Sequence, residues 1–461
     1  MRKKKLIIVS NRLPIQMERT PEGLKASSSS GGLVSVLSTL KPSLDFKWIG
    51  WPGTEITKSE KDLFETQLVN EYGYYPVYLT SNEIDRYYYG FSNSVLWPLF
   101  HYSQDRVDFS QHYWEDYVKV NEKFAEKVLS LCDDNTTVWV HDYHLFLLPQ
   151  ILRKVKPKLR IGFFLHIPFP SSEIYRLLPA RNEILEGILG SDLIGFHSYE
   201  YLRHFVSSCK RVLGLKVSDR KITFQERSVE VGTFPIGIDF DKFHDSSLSE
   251  ETIKALEKLR NTHQNKKLIL GVDRLDYIKG IPQKLIAFEN FLEKYPEFRE
   301  NTILIQVGLP SRYKVPEYKK LKNEIDQHVG RINGRFGSPN HSPIHYIAHS
   351  ISFEELSALY RIADAMLVTS IRDGMNLVCM EYIASQQNKN GVLILSEFAG
   401  AANALQNALL VNPWDISKIV EAIHQALTMN EQERKRRQML NYEYVKKHTS
   451  SKWGQSFIRK L

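Results

Sequence analysis

The sharpest chemical signal in this 461-residue chain is Arg372-Asp373-Gly374-Met375-Asn376-Leu377-Val378, followed by a carboxylate at Glu381. The segment stands between an apolar run and a helical pattern. A glycine turn ahead of a helix leaves backbone N–H groups open to phosphate oxygens. Glu381, one turn into that helix, can accept both hydroxyls of a ribose. The plainer reading makes Asp373 a helix cap and Glu381 a solvated residue. Strand, turn, helix and acid in that order favour a nucleotide site. Upstream, Asp273-Arg274-Leu275-Asp276-Tyr277-Ile278-Lys279-Gly280 follows another apolar run. Arg274 and Lys279 there either clamp a diphosphate at a helix N-terminus or pair with Asp273 and Asp276. Arg312 follows a third run in the same manner.

The N-terminal half carries a different set. Ser10-Asn11-Arg12 ends the first apolar run, and a serine-rich loop leads to Gly31-Gly32-Leu33. Arginine's planar fork suits a phosphate, and paired glycines let N–H groups approach an anion. A surface hinge with a solvated arginine is the competing reading. The segment 85–102, DRYYYGFSNSVLWPLFHY, is rich in aromatic residues, with Trp48 and Trp51 before it. Such rings stack on sugars, but they fill cores more often. His141-Asp142-Tyr143-His144 and His166 each follow an apolar run. Their spacing matches no common zinc pattern, so they read as groups that bind hydroxyls or stabilise charge, and no metal is expected. The P-loop, the GxGxxG fingerprint after the first strand and the GxSxG elbow are all missing.

These residues need elements that gather strand ends. Ten short apolar runs recur: 6–9, 137–140, 161–165, 193–196, 268–272, 303–307, 344–347, 366–369, 392–395 and 408–411. Runs apolar on both faces and separated by helical patterns predict parallel βαβ sheets, here two doubly wound ones. The division is expected near Pro235-Ile236-Gly237-Ile238-Asp239. That places one domain at 1–238, a second at 239–438, and a helical segment at 439–461 packing back on the first. Helices are expected from Pro282 to Tyr295, 354–365, 376–386 and 431–461. Ligand crevices of such sheets lie at the carboxyl ends of the strands, which is where the motifs above stand.

Composition narrows the function classes. The formal charge of +8 comes from 61 basic and 53 acidic residues, largely interleaved, so nucleic acid is not an expected partner. No apolar run is long enough to span a bilayer, and the apolar core of MRKKKLIIVSNRLP is too short for a signal peptide. Three cysteines, Cys132, Cys209 and Cys379, form no framework, which suits a reducing cytoplasm.

Taken in order, the motifs resemble the retaining trehalose-6-phosphate synthases, a glycosyltransferase family with the GT-B fold. The resemblance runs from SNRLP at Ser10 to NPWD at Asn412. Its most specific pieces are WIGWPG, FSNSVLWPLFHY, HDYH, GFFLHIPFPSSEI, DRLDYIKG, RINGRFG, SIRDGMNLVCMEY and LSEFAGAA. It implies an α/β chain of two facing Rossmann-like, doubly wound domains with the active site in the cleft between them. It also implies glucosyl transfer from a nucleotide-glucose, UDP-glucose in the first instance, to glucose 6-phosphate.

By position, the resemblance places Arg12, Trp51, Tyr88, Trp97, Asp142 and Arg312 around the acceptor, with Arg12 and Arg312 on its phosphate. The donor would meet Gly32, His166, Arg274, Lys279, Asp373, Gly374, Met375, Asn376, Leu377, Val378 and Glu381. Asp142, His166, Arg274, Lys279 and Asp373 would act on the reacting groups, without a cofactor. Where some members carry a further arginine, this chain reads Ser350-Ile351-Ser352-Phe353. A glucosylglycerol-phosphate synthase and a catalytically silent sugar-phosphate sensor are the rival readings. Arg12 and the wall of Tyr88 and Trp97 favour a hexose phosphate, and the intact basic clamp favours an active enzyme. A homo-oligomer is compatible with this reading, and the product would be dephosphorylated by a separate phosphatase.

Overall fold

Apolar residues on both faces mark strands that helices cover, and each of the ten runs forms or overlaps a strand. In the computed structural model the described residues are 5–20, 23–28, 37, 46–309, 316–386 and 389–461. The chain divides into two units, Met1–Pro235 with Ser450–Leu461, and Ile236–Thr449.

The first unit holds a nine-stranded sheet. Its order is Tyr74–Pro76, Phe46–Trp51, Lys5–Arg12, Thr136–His141, Arg160–Phe164, Leu193–Phe196, Arg227–Thr233, Lys221–Phe224 and Val217–Ser218. Pairing is parallel up to Arg227–Thr233, and the last two strands run antiparallel at the edge. Chain order reverses around Lys5–Arg12, which pairs with Phe46–Trp51 on one side and Thr136–His141 on the other. This is the switch point at which such a sheet opens a crevice.

The second unit holds six parallel strands in the order Ile344–Ile347, Thr302–Leu309, Lys267–Arg274, Ala365–Val368, Val392–Ser396 and Leu409–Val411. Its switch point lies between Lys267–Arg274 and Ala365–Val368. The strand ends that carry Arg274 and Asp373 therefore flank it.

Strands absent from the ten runs have a physical reason. Phe46–Trp51 is interrupted by Lys47 and Gly50, and Lys221–Phe224 alternates exposed and buried residues as a strand with one solvated face does. The aromatic segment winds into a wide helix, Ile84–Leu96, at whose end the Trp97 N–H reaches back five residues to the Ser92 carbonyl.

The expected break after 438 is corrected. Glu431–Lys447 is one helix, with Gln438, Asn441 and Val445 buried, and the Gln438 amide donates to the Ile383 carbonyl at 3.0 Å. The expected continuous helix over 431–461 is two helices, the second being Ser450–Lys460, which joins the first unit. Its Phe457 ring stacks on Trp139 at 4.7 Å between centroids. Gly162 and Gly195, on neighbouring strands, make room for it: a Cβ on either would lie 2.7 or 2.8 Å from the ring.

That ring is fully buried, so Phe457→Ala leaves a cavity on the sheet. A loss of about 3–5 kcal/mol is expected from chemical denaturation of the full chain.

Candidate active site

The donor-type motif is built by two loops that dock on each other. Gly280 has φ +62°, and a Cβ there would lie 2.0 Å from the Thr369 carbonyl oxygen. The Thr369 hydroxyl donates to the Gly280 carbonyl at 2.8 Å, and the Ile371 N–H donates to the Ile278 carbonyl at 2.7 Å. This contact brings Lys279 to Asp373, with Nζ 2.5 Å from Oδ2. Ser370 and Asn376 side chains donate to the same oxygen at 3.3 and 3.1 Å.

Asn376, not Asp373, caps the following helix, Leu377–Ser385. It adopts φ +65°, and its side-chain oxygen accepts the Cys379 N–H. Asparagine tolerates that backbone better than most residues. The Leu377 and Val378 amides stand in the open first turn, where a helix has no partners of its own for them. Gly374 and Met375 are buried beneath, and the Ala401 N–H donates to the Met375 carbonyl at 2.9 Å.

Glu381 sits on this helix, half-buried, and accepts the Tyr360 hydroxyl at 2.8 Å. Burial pushes its carboxyl up to about 7, against the Tyr360 hydrogen bond and the Lys242 charge. Tyr360 was not singled out from sequence. The capping box at Ser352 and Glu355 marks its helix, Phe353–Ile362, but nothing local points the phenol at Glu381.

Asp273 does not pair with Arg274. It is buried against Lys284 at 2.6 Å and accepts from Gln306 at 3.1 Å. Asp276 accepts the Ile278 N–H and shapes the turn. Arg274 ends its strand exposed. Of the two neighbouring carboxylates, Asp273 is thus committed to Lys284 and Gln306 in the interior.

The first unit assembles the other set. Arg12 ends its strand exposed and lies over the Trp51 ring, with Cζ 5.6 Å from the centroid. Its guanidinium also covers Gly53, where φ is +99° and a Cβ would lie 2.1 Å from Nη2. Trp51 packs on Tyr88 at 5.6 Å, and Tyr88 stacks on His144 at 5.7 Å. Trp97 is buried behind this wall against His101 and Tyr143. Gly32 and Arg312 lie outside the described residues, as do Gly31 and Leu33.

Asp142 follows Thr136–His141 with φ +74° and ψ +171°, a region nearly reserved for glycine. Its carboxylate accepts the His166 N–H at 3.1 Å, and its own N–H donates to the Phe164 carbonyl at 2.8 Å. His166 Nε2 lies 3.0 Å from Nδ1 of the buried His141. Burial holds the His141 imidazole down to about 3 and His166 well below its ordinary value, so both rings are neutral near pH 7. His141 Nε2 is buried without a hydrogen-bond partner among the described residues. A bare lone pair is tolerated there better than an orphaned N–H. His141 Nδ1–H therefore donates to His166 Nε2, and His166 carries its proton on Nδ1, turned to the other side of the ring.

Comparison with known proteins agrees with this geometry. The family model for glycosyltransferase family 20 matches residues 4–461. An α,α-trehalose-phosphate synthase (UDP-forming) of Schizosaccharomyces pombe is 50% identical over 463 residues, which is 99% of this chain and 90% of that protein. A counterpart from Dictyostelium discoideum is 50% identical over 99% of this chain, which spans 62% of its length. A crystal structure of the Burkholderia xenovorans synthase in complex with glucose 6-phosphate matches with a TM-score of 0.90 at 34% identity, covering 99% of each chain.

The backbone at Asp142 yields a stability test. Asp142→Ala and Asp142→Gly both lose the hydrogen bond to His166, but only glycine relieves the backbone strain. Thermal denaturation should therefore find the glycine variant more stable than the alanine variant by about 1–3 kcal/mol.

Proposed function

Because this chain belongs to glycosyltransferase family 20 and has the GT-B fold, we infer that it transfers glucose from UDP-glucose to glucose 6-phosphate, forming α,α-trehalose 6-phosphate and UDP. The observation that carries this reading is Lys279 held on Asp373 at the switch point of a parallel sheet, beside open amides of a helix N-terminus. A diphosphate meets there a lysine, a neighbouring arginine and backbone donors together.

The donor glucose is α-linked and the product is α,α-linked, so the transfer retains configuration at the donor carbon. The bond between that carbon and the diphosphate breaks as the acceptor's anomeric oxygen attacks on the same face. Negative charge then builds on the leaving phosphate oxygen. Arg274 and Lys279 stabilise that charge, and the leaving oxygen takes the acceptor's proton. His166, neutral with its proton on Nδ1, donates a hydrogen bond to the transferring glucose, and Asp373 accepts from its hydroxyls. Glu381 binds the ribose, while Gly374, Met375, Asn376, Leu377 and Val378 form the cradle of the diphosphate.

In this reading Arg12 binds the acceptor phosphate, Trp51, Tyr88 and Trp97 make or back the wall behind the sugar, and Asp142 accepts sugar hydroxyls. Gly32 and Arg312 would complete the two sites. The product is a phosphate monoester, so a separate phosphatase would consume it. Free cysteines at Cys132, Cys209 and Cys379 suit a reducing cytoplasm. Among the described residues, no helix is long and apolar enough to cross a membrane.

Incubating the protein with UDP-glucose and either glucose 6-phosphate or glycerol 3-phosphate tests the reading. UDP release with glucose 6-phosphate is expected; release only with glycerol 3-phosphate, or with neither, overturns it. Arg274→Ala should lower kcat about 10²- to 10³-fold with the fold intact. Arg12→Ala should raise the acceptor KM about 10- to 100-fold, far more than the donor KM.

Glu381 adds a pH dependence. Its carboxyl is pushed up to about 7, and two ribose hydroxyls together donate far better to the ionised form, which offers acceptors on both oxygens. UDP-glucose affinity should rise about tenfold from about pH 6 to about pH 8, a change that Glu381→Gln abolishes. The donor's diphosphate stays ionised throughout, so calorimetric titration isolates the carboxyl.

A further inference from the structure

The second unit has a basic cavity at the opposite ends of its strands. It encloses about 400 Å³ and is lined by Arg260, His263, Lys266, Arg361 and Lys389, with Leu268 at its floor. Lys267–Arg274, Ala365–Val368 and Val392–Ser396 all begin beside it. The donor-type motif stands at the carboxyl ends of the first two, so this cavity is a separate place.

Four cations converge there, and only Lys389 has a carboxylate partner among the described residues, Asp364 at 3.0 Å. Arg361 donates to the Ser247 carbonyl at 2.6 Å, and Lys266 donates to the Glu300 carbonyl. Burial first, and then the like charge of Arg260, hold the Arg361 guanidinium below its ordinary value. Two helices, Glu250–Thr262 and Phe353–Ile362, end at the cavity, and their carbonyl ends explain part of the basic character. Each contributes only about half a negative charge. Together with Asp364, which Arg434 also faces at 3.9 Å, they leave the cavity positive.

His263 supplies an independent observation. It is 8% exposed, and its ring makes no hydrogen bond among the described residues; its only ring contact is His345 at 5.1 Å. Burial, and then His345, keep it neutral near pH 7. With no protein hydrogen bond of its own among the described residues, this largely buried imidazole lines the cationic cavity with its nitrogens free to meet a polar guest.

We propose that this cavity binds a phosphate group, as a second anion site remote from the transfer chemistry. Its volume fits a small organic phosphate as well as the free ion.

Calorimetry with the full chain tests it, using inorganic phosphate and ribose 5-phosphate as separate probes. Binding of at least one probe should survive Arg12→Ala and weaken at least about tenfold in Arg260→Ala/Lys389→Ala. That double variant should keep its kcat within about twofold without probe, which also reports a native fold. Tighter binding of ribose 5-phosphate would identify an organic phosphate as the ligand, and equal binding the free ion. His263→Phe, which removes the nitrogens and keeps the ring, should weaken binding with the fold retained. No binding by either probe, binding lost in Arg12→Ala, or unchanged affinity in the double variant overturns the proposal.

Discussion

The donor-type site depends on one close approach. Gly280 lies so near the Thr369 carbonyl that no other residue fits, and its backbone sits where φ is positive. A side chain there would push apart the loops that follow Lys267–Arg274 and Ala365–Val368. Lys279 would then leave Asp373, and the Ile371–Ile278 hydrogen bond would break. Gly400 repeats the device one strand further on, where a Cβ would lie 2.0 Å from the Gly374 carbonyl oxygen. Three consecutive strand ends are thus locked by contacts only glycine permits, and rigidity follows from sterics before any ionic term is added.

The first unit achieves a similar result by strain. Asp142 stands in a backbone region that costs a non-glycine residue about 1–3 kcal/mol. The surrounding pairs hold it: Asp142 N–H to Phe164, His166 N–H to Asp142, and His141 to His166. The helix Ser450–Lys460 presses Trp453 and Phe457 onto the same strands, so distant packing supports this geometry. A carboxylate fixed in this way loses little further freedom when it meets a hydroxyl.

The strands with continuous apolar runs were legible because burial on both faces leaves a one-dimensional trace. The loops with paired cations and glycines stood out in the sequence because phosphate chemistry would need those residue types after a strand, and the structure places both of them after strands. What escaped was pairing at long range. Lys279 and Asp373 are 94 residues apart, and nothing nearby distinguishes Asp373 as a partner rather than a cap. Asp273, next to Arg274, proves to belong to Lys284, because both side chains point into the sheet-helix interior. Tyr360 and His141 act through neighbours brought by topology, not by spacing. Strands such as Lys221–Phe224, near the sheet edge, were hidden for the opposite reason, since their half-exposed alternation lacks an apolar run.

The two carboxylates of the donor-type site differ in a way that suits their proposed partners. Asp373 accepts from Lys279 and from two further donors, which together hold Lys279 in a recessed position. In the proposed complex a donor phosphate would share this preplaced lysine without new reorganisation. Glu381 has only a phenol and a distant lysine to oppose its burial, so it titrates near neutrality. It is therefore only partly ionised at neutral pH, and in the proposed complex the hydroxyls of a ribose would add donors that draw it further toward the ionised form.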